Sequence, residues 1–355
     1  MTSNVKPLEF FDNTRLNALR ECERKYYYRH VRHWAPDAKK PALAFGSAWH
    51  SAMDILWGRT AELYQSKQST RVVIDAAYEA FIAEWTKSGF PHPDELGPDE
   101  LDDLAPRTPQ VALEMLHAYV PARQHIFTDP SFKLLAIEKP FAVPLAPDDD
   151  TTWYIGRLDK VFSYRSRVIG METKTTTSYK KDGYFRSDFV DDFMLSSQIT
   201  GYNYALRMEY GDLSGGIWID GALVHKSIHE GFIIIPEARS HDALDEFLWT
   251  VWTHIDSIRG NLKALEERRD PSASYMAAFP KRTTACGNYG GCPFRSICSV
   301  VANPEKLTEP PLGFIESRWS PFEIVDLKKL GFSAEQDAIS VASSPAAPTQ
   351  EHRPV

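Results

Sequence analysis

Apolar and polar positions along this chain alternate in two distinct periods, and the switch between them divides the sequence into helical and strand regions. A helical period runs from about Asn13 to Arg32, again from about Ser47 to Gln65 and from Thr70 to Trp85. Pro91 to Pro109, rich in proline and acid, reads as a surface loop before another helix that continues through about Tyr119. From Phe132 to Lys174 the period becomes two, interrupted by Leu145 to Asp150, a polar stretch that suits a solvated hairpin tip. Within it, Trp153-Tyr154-Ile155 leads into Val161-Phe162, and Val168-Ile169 follows across the polar turn Ser163 to Arg167: the pattern of a β-hairpin. Beyond a helix around Gln198, the apolar runs Gly216 to Leu223 and Glu230 to Ile235 suit buried strands. A long amphipathic helix from about His241 to Glu267 follows, and residues 336–355, rich in Ala, Pro and Ser, read as a disordered tail. Helices, then strands, then both together predict an α/β domain covering residues 1–335.

Composition narrows the class. The 355 residues are 43% hydrophobic and 12% aromatic, enough to bury a large core. No apolar run approaches the ~20 residues that span a bilayer, and the start, Met1 to Lys6, lacks the apolar segment of a secretory signal. These features exclude a membrane protein and favour a cytoplasmic one. The net charge of −8 argues against nonspecific coating of nucleic acid, which phosphate neutralisation drives. One local stretch runs the other way: Arg15, Arg20, Arg24, Lys25, Arg29 and Arg32 surround Tyr26-Tyr27-Tyr28 and Trp34. Such a mixture can track a strand backbone and stack bases, or its aromatics can be core. A second basic stretch, Thr173 to Arg186, carries Lys174, Lys180 and Lys181.

The chemistry concentrates on the hairpin. Gly156-Arg157-Leu158-Asp159 lies on its first strand and Glu172-Thr173-Lys174 on its second. Glu172 and Lys174 are two apart and share a face. With Asp159 on that face, two hard oxygen ligands can hold Mg²⁺ or Mn²⁺ while an ammonium stands beside water or a scissile phosphate. The same residues can also be a solvated face with a cross-strand ion pair. Upstream, Gly46-Ser47-Ala48-Trp49-His50 is expected to open a helix, with Gly46 permitting close approach and His50 near the first turn. Downstream, Gln198 and Tyr202 stand four apart on one helical face, able to bond phosphate or orient the lysine.

Four cysteines are present, Cys22 and then Cys286, Cys292 and Cys298, with five residues between each of the last three. Four thiolates can close a [4Fe–4S] cluster or a tetrahedral zinc site, and in a reducing cytosol either is favoured over two disulfides. Gly287, Gly290 and Gly291 leave the loop free to wrap such a group.

The ordered set Gly-x-x-x-His, Gly-x-x-Asp, Glu-x-Lys and Gln-x-x-x-Tyr closely resembles the RecB-like branch of the PD-(D/E)XK nuclease superfamily. Within it, the chain looks most like the iron–sulfur nucleases related to the AddB nuclease domain, the CRISPR-adaptation exonucleases and their phage-encoded relatives. The resemblance implies a restriction-endonuclease-like fold, a mixed central sheet flanked by helices, with a cysteine-ligated iron–sulfur module formed by the N-terminal helix and residues 280–300. It implies that His50, Asp159, Glu172 and the Thr173 carbonyl hold the divalent ion, that Lys174 is the catalytic lysine, and that Gln198 and Tyr202 support the site. Glu138 matches a strand glutamate of these proteins and can equally be an edge-strand charge. Cys22, Cys286, Cys292 and Cys298 then hold the cluster, although the relatives commonly space the first two C-terminal cysteines more closely. The implied activity is an exonuclease on DNA ends, single-stranded or otherwise, in recombination, repair or phage DNA processing. The chain has no Gly-x-x-x-x-Gly-Lys-Ser/Thr loop, so unwinding would fall to a helicase or recombinase partner. The reading from another class is a noncatalytic DNA-binding subunit of a helicase–nuclease assembly.

Overall fold

The computed structural model describes residues 8–180, 185–326 and 329. Along the chain run β1 (Glu9–Phe11), α1 (Asn13–Glu21), α2 (Glu23–Tyr26), a π-helical turn (Tyr27–Val31), β2 (Trp34–Pro36), α3 (Pro41–Gly58), α4 (Lys67–Lys87), α5 (Pro98–Leu104) and α6 (Pro109–Phe127). There follow β3 (Lys133–Ala146), β4 (Asp149–Tyr164), β5 (Arg167–Thr176), α7 (Ser187–Asp191), α8 (Ser197–Tyr210), β6 (Ser214–Leu223), β7 (Phe232–Glu237), α9 (His241–Glu267), α10 (Arg295–Val300) and β8 (Phe314–Glu316). These residues gather into two compact units. One takes the chain up to Ala38, Ala142–Gly156 and everything from Asp245; the other takes Lys39–Phe141 and Arg157–Leu244.

The second unit is built on a mixed sheet. Strands β4 and β5 pair antiparallel, β5 and β6 parallel, β6 and β7 antiparallel, and β3 also pairs with β4. Arg165 and Ser166, the two residues joining β4 to β5, both take positive φ, 47° and 64°, as a two-residue hairpin turn demands. At Gly216, with φ 93°, a Cβ would stand 2.6 Å from the Glu237 carbonyl, so the close approach of β6 to β7 requires glycine there. Helix α3 begins at Pro41 in the position where proline costs nothing. Its Phe45, Ala48, Trp49, Ala52, Met53, Leu56 and Trp57 form the stripe that a 3.6-residue period brings to one face, and all are buried. That stripe packs with Phe81 and Trp85 of α4, Met115 and Tyr119 of α6, and Phe162 and Met171 of the sheet into one core. Beneath the sheet's middle lies a polar chain: Trp57 Nε1 donates to Tyr119 Oη at 2.9 Å, Tyr119 donates to Asp220, and Arg123 Nε donates to Asp220 at 3.2 Å. Burial of all four makes this network obligatory, since any member left unpaired would be costly.

In the first unit β1 runs parallel to the start of β4, pairing Phe11 with Tyr154, over a small core of Leu8, Phe10, Ile155 and Val325. Asp12 caps α1 through Arg15 N at 2.6 Å and also accepts from Trp319 Nε1. Buried Arg15 is stacked on Phe11 and Trp319. Strands β2 and β8 form a separate antiparallel pair.

Several expectations need correction. The first helix does not run unbroken to Arg32: it stops at Cys22, whose backbone is extended, and resumes as α2 and the π-helical turn. The second helix lies earlier than expected, Pro41–Gly58, because Pro41 sets its start. The segment Pro91 to Pro109 is not all loop, since Pro98 opens the short helix α5. Tyr26, Tyr27, Tyr28 and Trp34 are all buried, so the aromatics of the basic stretch are core and unavailable to stack bases. The tail 336–355 and Lys181 lie outside the described residues. No described helix is long and apolar enough to cross a membrane.

Candidate active site

The hairpin register, Lys160 against Met171 and Tyr164 against Arg167, brings Asp159 and Glu172 to the same end of the β4–β5 ladder. Both are nearly inaccessible to solvent. Asp159 Oδ2 accepts from the Thr173 backbone N–H at 2.7 Å and stands 3.2 Å from His50 Nδ1. His50 comes from the third turn of α3, further in than expected, and Gly46 is interior to that helix. A Cβ at Gly46 would meet Thr175 Oγ1 at an ordinary 3.8 Å, so no close approach depends on this glycine.

Glu138 joins them from β3. One ligand atom each of His50, Glu138 and Asp159 lies within 4.8 Å of the others, the one such group of three among the described residues. Glu138 has φ 49°, a left-handed conformation uncommon for a residue with a Cβ, within β3. Its Oε2 is also held by Arg157 Nε at 2.7 Å. Spacing in the sequence left Glu138 undecided between ligand and edge charge; the geometry brings it to His50 and Asp159.

Around Glu172 a second cluster forms. Its Oε1 takes Lys174 Nζ at 2.5 Å and Gln198 Nε2 at 2.9 Å. The same amide donates to Tyr202 Oη at 3.1 Å, and its oxygen accepts from Lys174 Nζ at 3.2 Å. Helix α8, capped at Ser196 through Ile199 N, thus presents Gln198 and Tyr202 on one face, as their four-residue spacing requires. The other oxygen, Oε2, is buried and has no hydrogen-bond partner. Burial pushes the Glu172 carboxyl up to about 7, with the nearby Asp159 charge adding to it and Lys174 opposing it. Glu172 is not among the three residues whose ligand atoms lie within 4.8 Å of one another, but a buried carboxylate oxygen without a donor is the kind of group that a cation satisfies. Thr173 is fully buried between them, beside Asp220 in the β5–β6 register.

Two residues that sequence reasoning passed over belong to this neighbourhood. Asp54 lies one helical turn beyond His50, and Lys160 directly follows Asp159. Lys160 is wholly buried, 3.3 Å from Asp54 Oδ1 and 3.4 Å from Thr173 Oγ1. The sequence held both signals: a His-x-x-x-Asp spacing, and a lysine directly after Asp159 with the apolar Leu158, Val161 and Phe162 around the pair.

The four cysteines, all in the first unit, line one cavity of 240 Å³ together with Lys25, Lys281 and Arg282. None is paired in a disulfide. The break at Cys22 lets its sulfur accept from the Arg282 backbone N–H at 3.2 Å, and Cys298 Sγ lies 3.9 Å from Tyr28 Oη. No three of the sulfurs fall within 4.8 Å of one another. A zinc tetrathiolate, with Zn–S of about 2.3 Å, has sulfurs about 3.8 Å apart.

The family model of the PD-(D/E)XK nuclease superfamily matches residues 13–299. The chain therefore belongs to that superfamily, whose members are nucleases that use divalent metals such as Mg²⁺ or Mn²⁺, and its mixed sheet flanked by helices fits the superfamily's fold. No curated protein matches it.

Proposed function

We propose that this protein is a divalent-metal-dependent exodeoxyribonuclease of the RecB-like iron–sulfur branch, acting on DNA ends in recombination, repair or phage DNA processing. The observation that carries the reading is the meeting of His50, Glu138 and Asp159 next to Glu172, whose second oxygen is buried without a partner. These residues would hold Mg²⁺ or Mn²⁺ with the Thr173 carbonyl; when bound, the ion supplies Lewis-acid polarisation of the scissile phosphate and charge for the leaving oxygen.

The chain's own groups account for the rest. Lys174 hydrogen-bonds the attacking water through Nζ and directs it in line with the leaving oxygen. Glu172 and Gln198 fix the position of that ammonium from two sides. Tyr202 holds the Gln198 amide so that its oxygen, rather than its nitrogen, faces Lys174. Thr173 N–H keeps the Asp159 carboxylate oriented through a charge-assisted bond.

The cavity of Cys22, Cys286, Cys292 and Cys298 would hold a [4Fe–4S] cluster with a structural role. The lysines and arginine that line the same cavity suit the negative charge of such a group. Brown anaerobic protein containing iron and acid-labile sulfide would support the cluster; colourless protein containing zinc would replace it.

End dependence is tested by topology. With Mn²⁺, linear single-stranded DNA should be shortened stepwise while its closed circular form persists. Cutting of the circle at a comparable rate would make the enzyme an endonuclease.

A further inference from the structure

Asp54 and Lys160 have no part in the chemistry described above, yet they sit against it. Helix α3 carries His50 and Asp54 on one face, one turn apart, and β4 carries Asp159 and Lys160 in succession. The two pairs meet in parallel, His50 with Asp159 at 3.2 Å and Asp54 with Lys160 at 3.3 Å. Lys160 is completely buried, with the Thr173 hydroxyl at 3.4 Å as its other neighbour. A buried lysine is expensive and persists only where fixed negative charge compensates it. That compensation is broad. Burial pushes the Asp54 carboxyl up while Lys160 pulls it back, and the same ammonium draws down the carboxyls of Glu138 and Glu172. Asp54 Oδ1 stands 3.3 Å from the ammonium, the spacing of an ion pair rather than of a short hydrogen bond.

We propose that Asp54 and Lys160 are positioning residues that act as a matched pair of fixed charges, setting how tightly the adjoining carboxylate site holds its divalent cation. The inference rests on the metal-site reading above. Lys160 is the resident counter-charge that lets four carboxylates, those of Asp54, Glu138, Asp159 and Glu172, stay close together before a cation arrives. Asp54 offsets Lys160 so that the ammonium does not expel the cation afterwards. Removing either partner leaves the other uncompensated in a medium of low dielectric, with opposite consequences. Without Asp54 the cation meets an extra positive charge. Without Lys160 it meets an extra negative one.

The test is a calorimetric titration of Mn²⁺ alone into the full-length protein, comparing wild type with Asp54→Asn, Lys160→Met and the double variant, and using Asp159→Ala to identify the site's own binding. Asp54→Asn should weaken Mn²⁺ binding by about tenfold or more and Lys160→Met should tighten it by a similar factor, the ratios expected of one unit charge acting through protein. The double variant should return close to wild type, the coupling that a cycle isolates. Lys160→Gln, which keeps a donor for Thr173, stands in if the methionine variant does not fold, with circular dichroism as the check. A merely structural pair would weaken binding in both single variants. That result, or no change in either, overturns the proposal. If wild-type protein shows no Mn²⁺ binding that Asp159→Ala removes, the metal-site reading fails and the pair's role fails with it.

Discussion

Glu172→Gln keeps the shape of a buried side chain while removing its charge, and its effect on stability should reverse with pH. In the metal-free protein the Glu172 carboxyl is raised from 4.5 to about 7, by burial first and then by Asp159. A carboxyl raised on folding binds its proton more tightly in the folded chain. The stability it contributes is therefore complete below about pH 4.5 and lost as pH climbs through about 7. At ~1.4 kcal/mol for each tenfold in the ionisation constant, the wild type should lose about 2–3 kcal/mol from this group between about pH 5 and about pH 8.5. The glutamine variant has no such group. Relative to wild type it should gain that amount over the same interval, even as it loses activity. Urea unfolding in EDTA at the two pH values, followed by tryptophan fluorescence, measures the difference directly. Adding Mn²⁺ at the higher pH should restore the wild type and leave the variant far less affected. A variant offset from wild type by the same amount at both pH values would refute the reasoning, because it would mean that Glu172 does not bear an unfavourable charge in the folded chain.

Further outcomes follow from the same geometry. Lys174→Met should reduce cleavage by at least about a hundredfold, the order lost with a single positioned hydrogen-bond donor, with Mn²⁺ binding retained in a calorimetric titration. Asp220→Ala strands buried Arg123 and the Tyr119 hydroxyl, and should cost about 3–5 kcal/mol in urea unfolding; a loss below about 1 kcal/mol would mean that the network is not closed in solution. Cys22→Ser and Cys298→Ser should each abolish the visible absorbance and bound iron of anaerobically purified protein, whereas retention of a full iron complement in either would remove that cysteine from the ligand set.

The hairpin and its chemistry were legible in the sequence because β-structure encodes itself locally. A period of two, a polar turn and carboxylates at fixed offsets sufficed to put Asp159, Glu172 and Lys174 on β4 and β5, and the long helix His241–Glu267 follows from its amphipathic period. Gln198 and Tyr202 likewise met at the lysine because a four-residue spacing fixes a helical face. What was missed depends on contacts between distant segments. The extended backbone at Cys22 answers to a loop more than two hundred residues away, so no local pattern marks it. The same holds for Tyr26 to Tyr28, whose burial depends on Phe279, Phe294 and Trp34. Glu138 meets His50 and Asp159 only in the folded protein, and periodicity cannot register its positive φ. Asp54 and Lys160 left only weak traces in the sequence, the spacing from His50 and the apolar neighbours of the lysine, and it takes the fold to pair them.

The most direct measurement follows end-labelled linear DNA incubated with anaerobically purified protein, with Mn²⁺ or with EDTA, beside an Asp159→Ala variant shown to be folded. The account predicts loss of label only for wild-type protein with the metal. Equal cleavage by Asp159→Ala, or by wild-type protein in EDTA, would contradict it by placing the nuclease activity outside the site of His50, Glu138, Asp159 and Glu172.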